Sequence, residues 1–277
     1  MISKVHIPTS SLSQSIDCFY LNLADQFETS LITYPMLNQE LVFNLGECFE
    51  VKDLNDTYST KHLSSWISGL HTNPILTQTK GKHLSVGILF KPWGLYQIFG
   101  ISPAALTNTA IDTQIIGNKL MEEFVKEKTK NICLDSFLPA FENFMLQHFK
   151  PREIKHDVIQ TIHTIQSNQI QKGTMGKIAN ELKISPKTFI QYFNQTVGVS
   201  PIQYMHLLQV NQAIQLITKY PDKSLTGIGL QVGFYDQSHF IKTFKAFCNL
   251  SPNVFRNNNR KQVNFVQFGL FTHPYFC

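Results

Sequence analysis

Apolar residues in the last hundred or so positions recur at helical spacing, and they do so twice. A first run carries Ile178, Ala179 and Leu182, then Ile184, then Phe189 and Phe193; a second carries Ile228, Leu230 and Val232, then Phe234, then Phe240 and Phe244. Ile178 and Ile184 precede Ile228 and Phe234 by 50 positions, while Phe189, Phe193, Ser200, Pro201 and Tyr204 precede their counterparts Phe240, Phe244, Ser251, Pro252 and Phe255 by 51. One residue added in a turn, with phase kept afterwards, marks a single supersecondary unit used twice. Each copy predicts a short helix, a turn and a second helix whose phenylalanines at i and i+4 face inward. Gly233 supplies the left-handed conformation of a sharp helix exit in the second copy, and Lys183 holds that place in the first. Ser185-Pro186 supplies an N-cap followed by proline at the first helical position.

Between the copies, about Pro201–Thr218 predicts a long joining helix with Tyr204, Leu207, Leu208, Ala213, Ile214 and Ile217 on its buried side. The residues left facing outward on the second helix of each copy are rich in donors and acceptors. They are Lys187, Thr188, Ile190, Gln191 and Asn194 in one, and Gln237, Ser238, His239, Ile241, Lys242 and Lys245 in the other. Reading base edges in a major groove requires such side chains on an exposed helix.

Upstream the pattern changes period. From about 40 to 113 it predicts a mainly β region, with runs at Leu41–Leu45, Phe49–Val51, Ser64–Ser68 and His83–Phe90. A turn at Lys91–Gly94 leads to one or two helical turns ending at Gly100, and Ser102-Pro103 opens another short helix. A helix capped by Asp112 or Thr113 and running to about Lys130 follows, with Ile116, Leu120 and Phe124 packed; a second spans Leu134–Phe149, with Phe137, Leu138, Phe141 and Met145 packed. Pro151 marks the boundary, and a helix of about Glu153–Asn168 leads into the first copy. Asn257–Gln262 reads as a polar linker, and the aromatic stretch 263–277 as a tail that folds back, as an added strand. The domain expectation is therefore 1–150, 151–262 and a 263–277 tail, in an α+β chain.

Charge sharpens this division. Residues 1–150 hold 11 Lys and no Arg against 14 Asp and Glu; the remainder holds 24 − 11 = 13 basic and 19 − 14 = 5 acidic residues. A basic C-terminal part on a slightly acidic N-terminal part fits a nucleic-acid partner for the former. The five cysteines are scattered, without Cys-x-x-Cys, so the expectation is a reducing cytoplasm with neither disulfide framework nor zinc site. No secretory signal and no membrane-length apolar run is visible. Histidines lack His-x-His or His-x-x-x-His spacing; His71 and His83 read as turn or surface residues, and no metal, cofactor or catalytic signature is expected. No heptad stretch long enough for a coiled coil occurs.

The pattern Ile-Ser-Pro-x-x-Phe…Phe…Gly-Val-Ser-Pro…Tyr followed by Gly-Phe-x-Asp-Gln-Ser-x-Phe…Phe…Ser-Pro…Phe-Arg resembles the DNA-binding domain of AraC/XylS-type transcription regulators, over about residues 155–260. The resemblance implies two helix-turn-helix units joined by a long helix, with recognition helices at about 186–195 and 237–247 in successive major grooves of double-stranded DNA. It makes Lys187, Thr188, Gln191, Asn194, Gln237, Ser238, His239 and Lys242 candidate base contacts, and Lys177, Ser185, Lys223, Lys245 and Arg256 candidate phosphate contacts. Gln209-Val210 replaces an Arg-Leu pair usual in the joining helix, and Gln191 stands where Arg is common. Gln suits adenine where Arg suits guanine, so the departures bear on the target sequence. Glu40–Gly46, Ser68–Thr72 and Val86–Tyr96 look like an N-terminal domain found on some regulators of this type whose ligand is unassigned. By that analogy it senses a small-molecule effector, forms a homodimer, or both, with Trp66, Phe90, Trp93 and Tyr96 as pocket candidates. The alternative is a DNA-binding or architectural protein whose N-terminal domain only dimerises.

Overall fold

A computed structural model describes residues 2–53, 59–62, 65–113, 119–167 and 184–261. The N-terminal part is an eight-stranded antiparallel sheet in the order β1-β2-β7-β3-β6-β8, with β4 paired to the start of β7 and β5 paired to β4. The strands are β1 (Ile2–His6), β2 (Ile16–Thr33), β3 (Gln39–Asn44), β4 (Phe49–Asp53), β5 (Ser59–His62), β6 (Ser65–Ser68), β7 (Ile75–Phe90) and β8 (Ala110–Asp112). Two long strands, β2 and β7, pair along nearly their whole length and carry the others.

The β region therefore begins near residue 2, where the sequence pattern starts it at about 40. It also includes 75–82, which runs along β2, with β4 paired to 75–78 on the other side.

Strand alternation sorts the side chains into two faces. Phe19, Leu21, Leu41, Phe43, Ile67, Val86, Ile88 and Phe90 point to one, where α2 (Lys119–Thr129) and α3 (Phe137–His148) cover them. Met121, Val125, Phe137, Leu138, Phe141 and Met145 fill that core. Leu120 is 58% exposed, against expectation, because it lies next to Met121, which takes the inward place. Asp112 belongs to β8 rather than to a helix cap, and Ile116 lies outside the described residues. The second face holds Tyr20, Val42, Phe49 and Trp66 and lines a cavity.

Between β7 and β8 the chain forms α1 (Gly94–Phe99), ended by Gly100 as expected, and a 3-10 turn at Pro103–Leu106 that opens on Pro103 without a cap bond from the Ser102 hydroxyl. Phe149 ends α3 in extended backbone and α4 (His156–Gln166) starts the helical part, so the break brackets Pro151.

The helical part continues with α5 (Pro186–Val197), α6 (Pro201–Lys219), α7 (Leu225–Gln231), α8 (Gln237–Cys248) and α9 (Pro252–Lys261). The joining helix α6 buries all six residues expected of it. Its start is fixed by a capping box, in which the Ser200 hydroxyl accepts from Gln203 N–H and the Gln203 side chain accepts from Ser200 N–H. The second unit closes around Val210, Ile214, Ile228, Val232, Phe240, Phe244 and Phe255. Leu230 is 56% exposed, a correction with a helical cause: Ile228 and Val232 stand four apart on the inner face, and the residue midway points out. The Asn257–Lys261 stretch continues α9 rather than forming a linker. The first helix of the first unit (Ile178, Ala179, Leu182, Lys183) and the 263–277 tail lie outside the described residues.

Candidate DNA interface and the sheet cavity

Two helices present the side chains that the sequence nominates. In α5 the Ser185 hydroxyl accepts from the Thr188 amide at 3.1 Å and Pro186 takes the first helical position. Phe189 and Phe193 are then driven inward, and Lys187, Thr188, Ile190 and Gln191 stand exposed, with Asn194 half-buried. The Thr188 hydroxyl also lies 2.8 Å from the Ser185 hydroxyl, so the cap engages it.

In α8 the Asp236 carboxylate accepts from His239 N–H at 2.7 Å, Phe240 and Phe244 are buried, and Gln237, Ser238, His239, Lys242 and Lys245 are exposed. Gly233 (φ 92°) makes the bend that feeds this helix. The His239 ring leans back against Phe234 and His206, with ring centres at 5.3 and 5.5 Å. Burial and the neighbouring His239 hold His206 below the ordinary imidazole value.

Of the phosphate candidates, Lys223 is exposed, with its ammonium donating to Gln231 Oε1 at 2.5 Å. Arg256 is half-buried and turned inward: it donates to Asn253 Oδ1 at 3.0 Å and to the Lys223 carbonyl at 3.5 Å. Its guanidinium ties α9 to the turn before α7, so a phosphate role would require it to leave those bonds. Lys177 lies outside the described residues. Sequence reasoning passed over Tyr235, 89% exposed just ahead of the α8 cap. The available signal was an aromatic in a Gly-Phe-Tyr-Asp turn, next to an outward helix face. Ile190 and Ile241 also leave apolar surface on the outer faces of α5 and α8, the chemistry that meets a thymine methyl.

The second face of the sheet encloses a cavity of about 110 Å³. Trp66 lines it; the other three pocket candidates do not. Phe90 lies on the helix-covered face beside Phe99, because its cross-strand partner is Gln39 and not Val42. Trp93 and Tyr96 follow the strand end and pack toward the helical part, while the Trp93 indole N–H donates back to the Gln14 carbonyl of the N-terminal part at 2.9 Å. The cavity draws instead on Tyr20, Asn22, Glu40, Phe49, Trp66, Ser68, His71, His83 and Ser85. Gly87 makes room for the Tyr20 ring, which lies where a β-carbon at that position would sit.

Glu40 accepts hydrogen bonds from Trp66 and Tyr20, yet burial pushes its carboxyl up to about 7. Burial depresses His71 and His83 to about 4, so both are neutral near pH 7. His83 is buried and both histidines line the cavity, against their reading as turn or surface residues. Among the described residues no group of His, Cys, Asp and Glu could hold a metal ion, and no helix is long and apolar enough to cross a membrane. Cys18, Cys48, Cys133 and Cys248 are free thiols.

The two parts of the chain meet at the carbonyl end of α5. The last carbonyls of a helix have no partner within it. Here Ser102 Oγ donates to the Gln195 carbonyl at 2.9 Å, Gln39 Nε2 to that of Val197 at 3.0 Å, and Thr107 Oγ1 to that of Gly198 at 2.8 Å. Leu37, Leu70 and Trp93 share an apolar cluster with Ile154, Val158, Phe193, Val197 and Leu207. Tyr34 reaches the second unit, its ring edge-on to Phe255 at 4.9 Å.

Residues 178–258 match the family model described as a helix-turn-helix domain, and residues 4–112 match a domain of unknown function, DUF6597. The chain is 25% identical over 171 residues to a helix-turn-helix-type transcriptional regulator of Haemophilus influenzae, covering 56% of each. It is 25% identical over 151 residues to the melibiose operon regulatory protein of Escherichia coli K12, covering 49% of this chain and 50% of that one. The chain thus spans about half the length of the curated relatives it matches. The crystal structure of ToxT from Vibrio cholerae overlaps loosely, with a TM-score of 0.43 and 14% identity over 86% of this chain and 97% of that one.

Proposed function

We propose that this chain is an AraC-type regulator that grips a specific double-stranded DNA site through α5 and α8, a reading supported by the helix-turn-helix match over 178–258. We further propose that its N-terminal part modulates that grip in response to a small molecule. The DNA reading rests on two capped helices that each bury a phenylalanine pair and expose a polar outer face. Helices docked in successive major grooves lie about one DNA turn apart, roughly 34 Å. Gln191 and Lys242 are the principal base readers, while Lys245, Lys223 and the Ser185 end of α5 meet phosphates, which fix register rather than sequence.

The observation that carries modulation is the segment from Thr33 to Glu40. Thr33, Met36, Asn38 and Glu40 line the cavity. The intervening Tyr34, Leu37 and Gln39 touch Phe255 of the second unit, the apolar cluster of the first and the Val197 carbonyl of α5. One short stretch thus has a ligand-facing side and a reader-facing side, the physical connection that coupling between two sites requires. This favours an effector over an N-terminal part that only dimerises.

The test is fluorescence-anisotropy binding of the full chain to selected duplex DNA across a salt series. Selective binding with a log–log slope of about 0.9 per phosphate contact is expected. Gln191→Ala and Lys242→Ala should each cost about 1–3 kcal/mol on the preferred site and relax its base preference, whereas Lys245→Ala should weaken all sequences alike and lower the salt slope by about 1. A folded chain that binds no duplex selectively would overturn the reading.

A further inference from the structure

The chemistry of the cavity limits what enters it. Among its described lining residues there is no Lys, Arg or Asp, and Glu40 alone carries a full charge when ionised. The two histidines are held neutral by burial and supply no positive partner. An anionic ligand would therefore add a second negative charge to a site with nothing to offset the first.

Glu40 is also oriented. Trp66 and Tyr20 both donate to it, and a carboxylate has about four acceptor sites, so capacity remains for a further donor. Phe49 and Trp66 stand edge to face at 5.5 Å beside it, giving aromatic surface of the kind that attracts a cation. Val42, Val51 and Ile75 supply apolar wall. The His71 Nδ1 has no hydrogen-bond partner among the described atoms and can take one from a bound molecule.

We infer that the cavity is a binding site for a small protonated organic amine, its ammonium paired with Glu40 and its apolar body set against Phe49, Trp66 and Val51. A volume of about 110 Å³ limits the body to at most about benzene size, since an apolar cavity of about 150 Å³ takes benzene. The inference deepens the effector reading and rests on it for its regulatory meaning. The ammonium would supply donors to a carboxylate already fixed by two others. The cavity face of β3 carries Glu40, and the next side chain back, Gln39, holds the α5 carbonyl end.

The experiment is calorimetric titration of the full chain, without DNA, with benzylamine, benzyl alcohol and benzoate, followed by n-butylamine and cyclohexylamine. At least one amine should bind at millimolar concentration or below. For benzylamine the alcohol should bind much more weakly and benzoate not measurably. Glu40→Gln should keep a cooperative melt and lower amine affinity by about 30-fold or more, the lower end for removing one partner of a buried charge pair. Benzoate or the alcohol binding as tightly as the amine, amine affinity unchanged in a folded Glu40→Gln chain, or no amine binding at all would each overturn the inference.

Anisotropy on duplex DNA with and without benzylamine separates this from the regulatory reading. Amine binding with unchanged DNA affinity keeps the site and removes the coupling. A DNA response to benzoate in place of the amine keeps the coupling and removes the site.

Discussion

Gln39→Leu isolates the contact between the sheet and the first recognition helix. Gln39 is fully buried, and its side chain satisfies three backbone groups: it donates to the Pro92 carbonyl at 2.7 Å and the Val197 carbonyl at 3.0 Å, and accepts from Leu95 N–H at 3.3 Å. Leucine keeps most of the volume and removes all three bonds. A buried group left without a partner costs about 1–3 kcal/mol. Two of the orphaned groups lie within the N-terminal part and lower its own stability. The third belongs to α5, so about 1–3 kcal/mol is lost from docking, equivalent to a roughly 5- to 150-fold rise in the undocked population. Native-state hydrogen exchange on the full chain reads the two effects separately. Amides at 195–199 should exchange faster by that factor, above the acceleration seen at 93–97. If 93–97 accelerates while 195–199 keeps its wild-type rate, the Gln39–Val197 bond does not hold the helix to the sheet, and the connection argued from residues 33–40 fails.

Other perturbations give equally definite outcomes. Because the Glu40 carboxyl is raised to about 7 from 4.5, the ligand-free fold binds a proton that the unfolded chain has released, so its stability contribution falls as pH rises from about 4.5 to 7. The stability difference between wild type and Glu40→Gln, measured by urea melts, should fall across that window by at most roughly 3 kcal/mol. His71 and His83 act in the opposite sense, costing stability as pH falls from about 6.5 to 4, and cancel in the difference; a flat difference would contradict the buried carboxyl. Gly87→Ala would place a β-carbon on the Tyr20 ring, so a loss of about 1–3 kcal/mol is expected, with the Tyr20 donor pushed off Glu40. Unchanged thermal stability would refute that close approach. Phe240→Ala removes a fully buried ring from the second unit, and a loss of about 3–5 kcal/mol with abolished DNA binding should appear by thermal melt and anisotropy.

The second helix-turn-helix unit, and the second helix of the first, were legible because their punctuation is local. Ser185-Pro186, Ser200-Pro201 and Gly233 each fix a backbone event within a residue or two, and every one does so in the structure. The cavity was not legible, because its walls depend on register. Trp66 and Phe90 both read as large aromatics in β runs, yet their strands pair so that Trp66 lies opposite Val42 and Phe90 opposite Gln39, on different faces. A single sequence gives the parity within a strand and not the offset between strands. The strand Ile16–Thr33 escaped for a different reason: polar residues at Asn22, Asp25, Gln26, Glu28 and Ser30 interrupt its apolar alternation. Gln39 and Glu40 drew no notice as one polar pair at a strand start, although they face opposite ways.

The capping of α5 by Ser102, Gln39 and Thr107 has a consequence for how this molecule is dissected in the laboratory. Truncation near Pro151 would not be a neutral subtraction. It would hand the final carbonyls of a DNA-reading helix to water and strip Leu37, Leu70 and Trp93 from the apolar surface of Val158 and Val197. A shortened chain that binds DNA weakly would then report a frayed helix rather than an inhibitor removed. Point substitutions in the intact chain are the sounder comparison, because they leave every other cap in place.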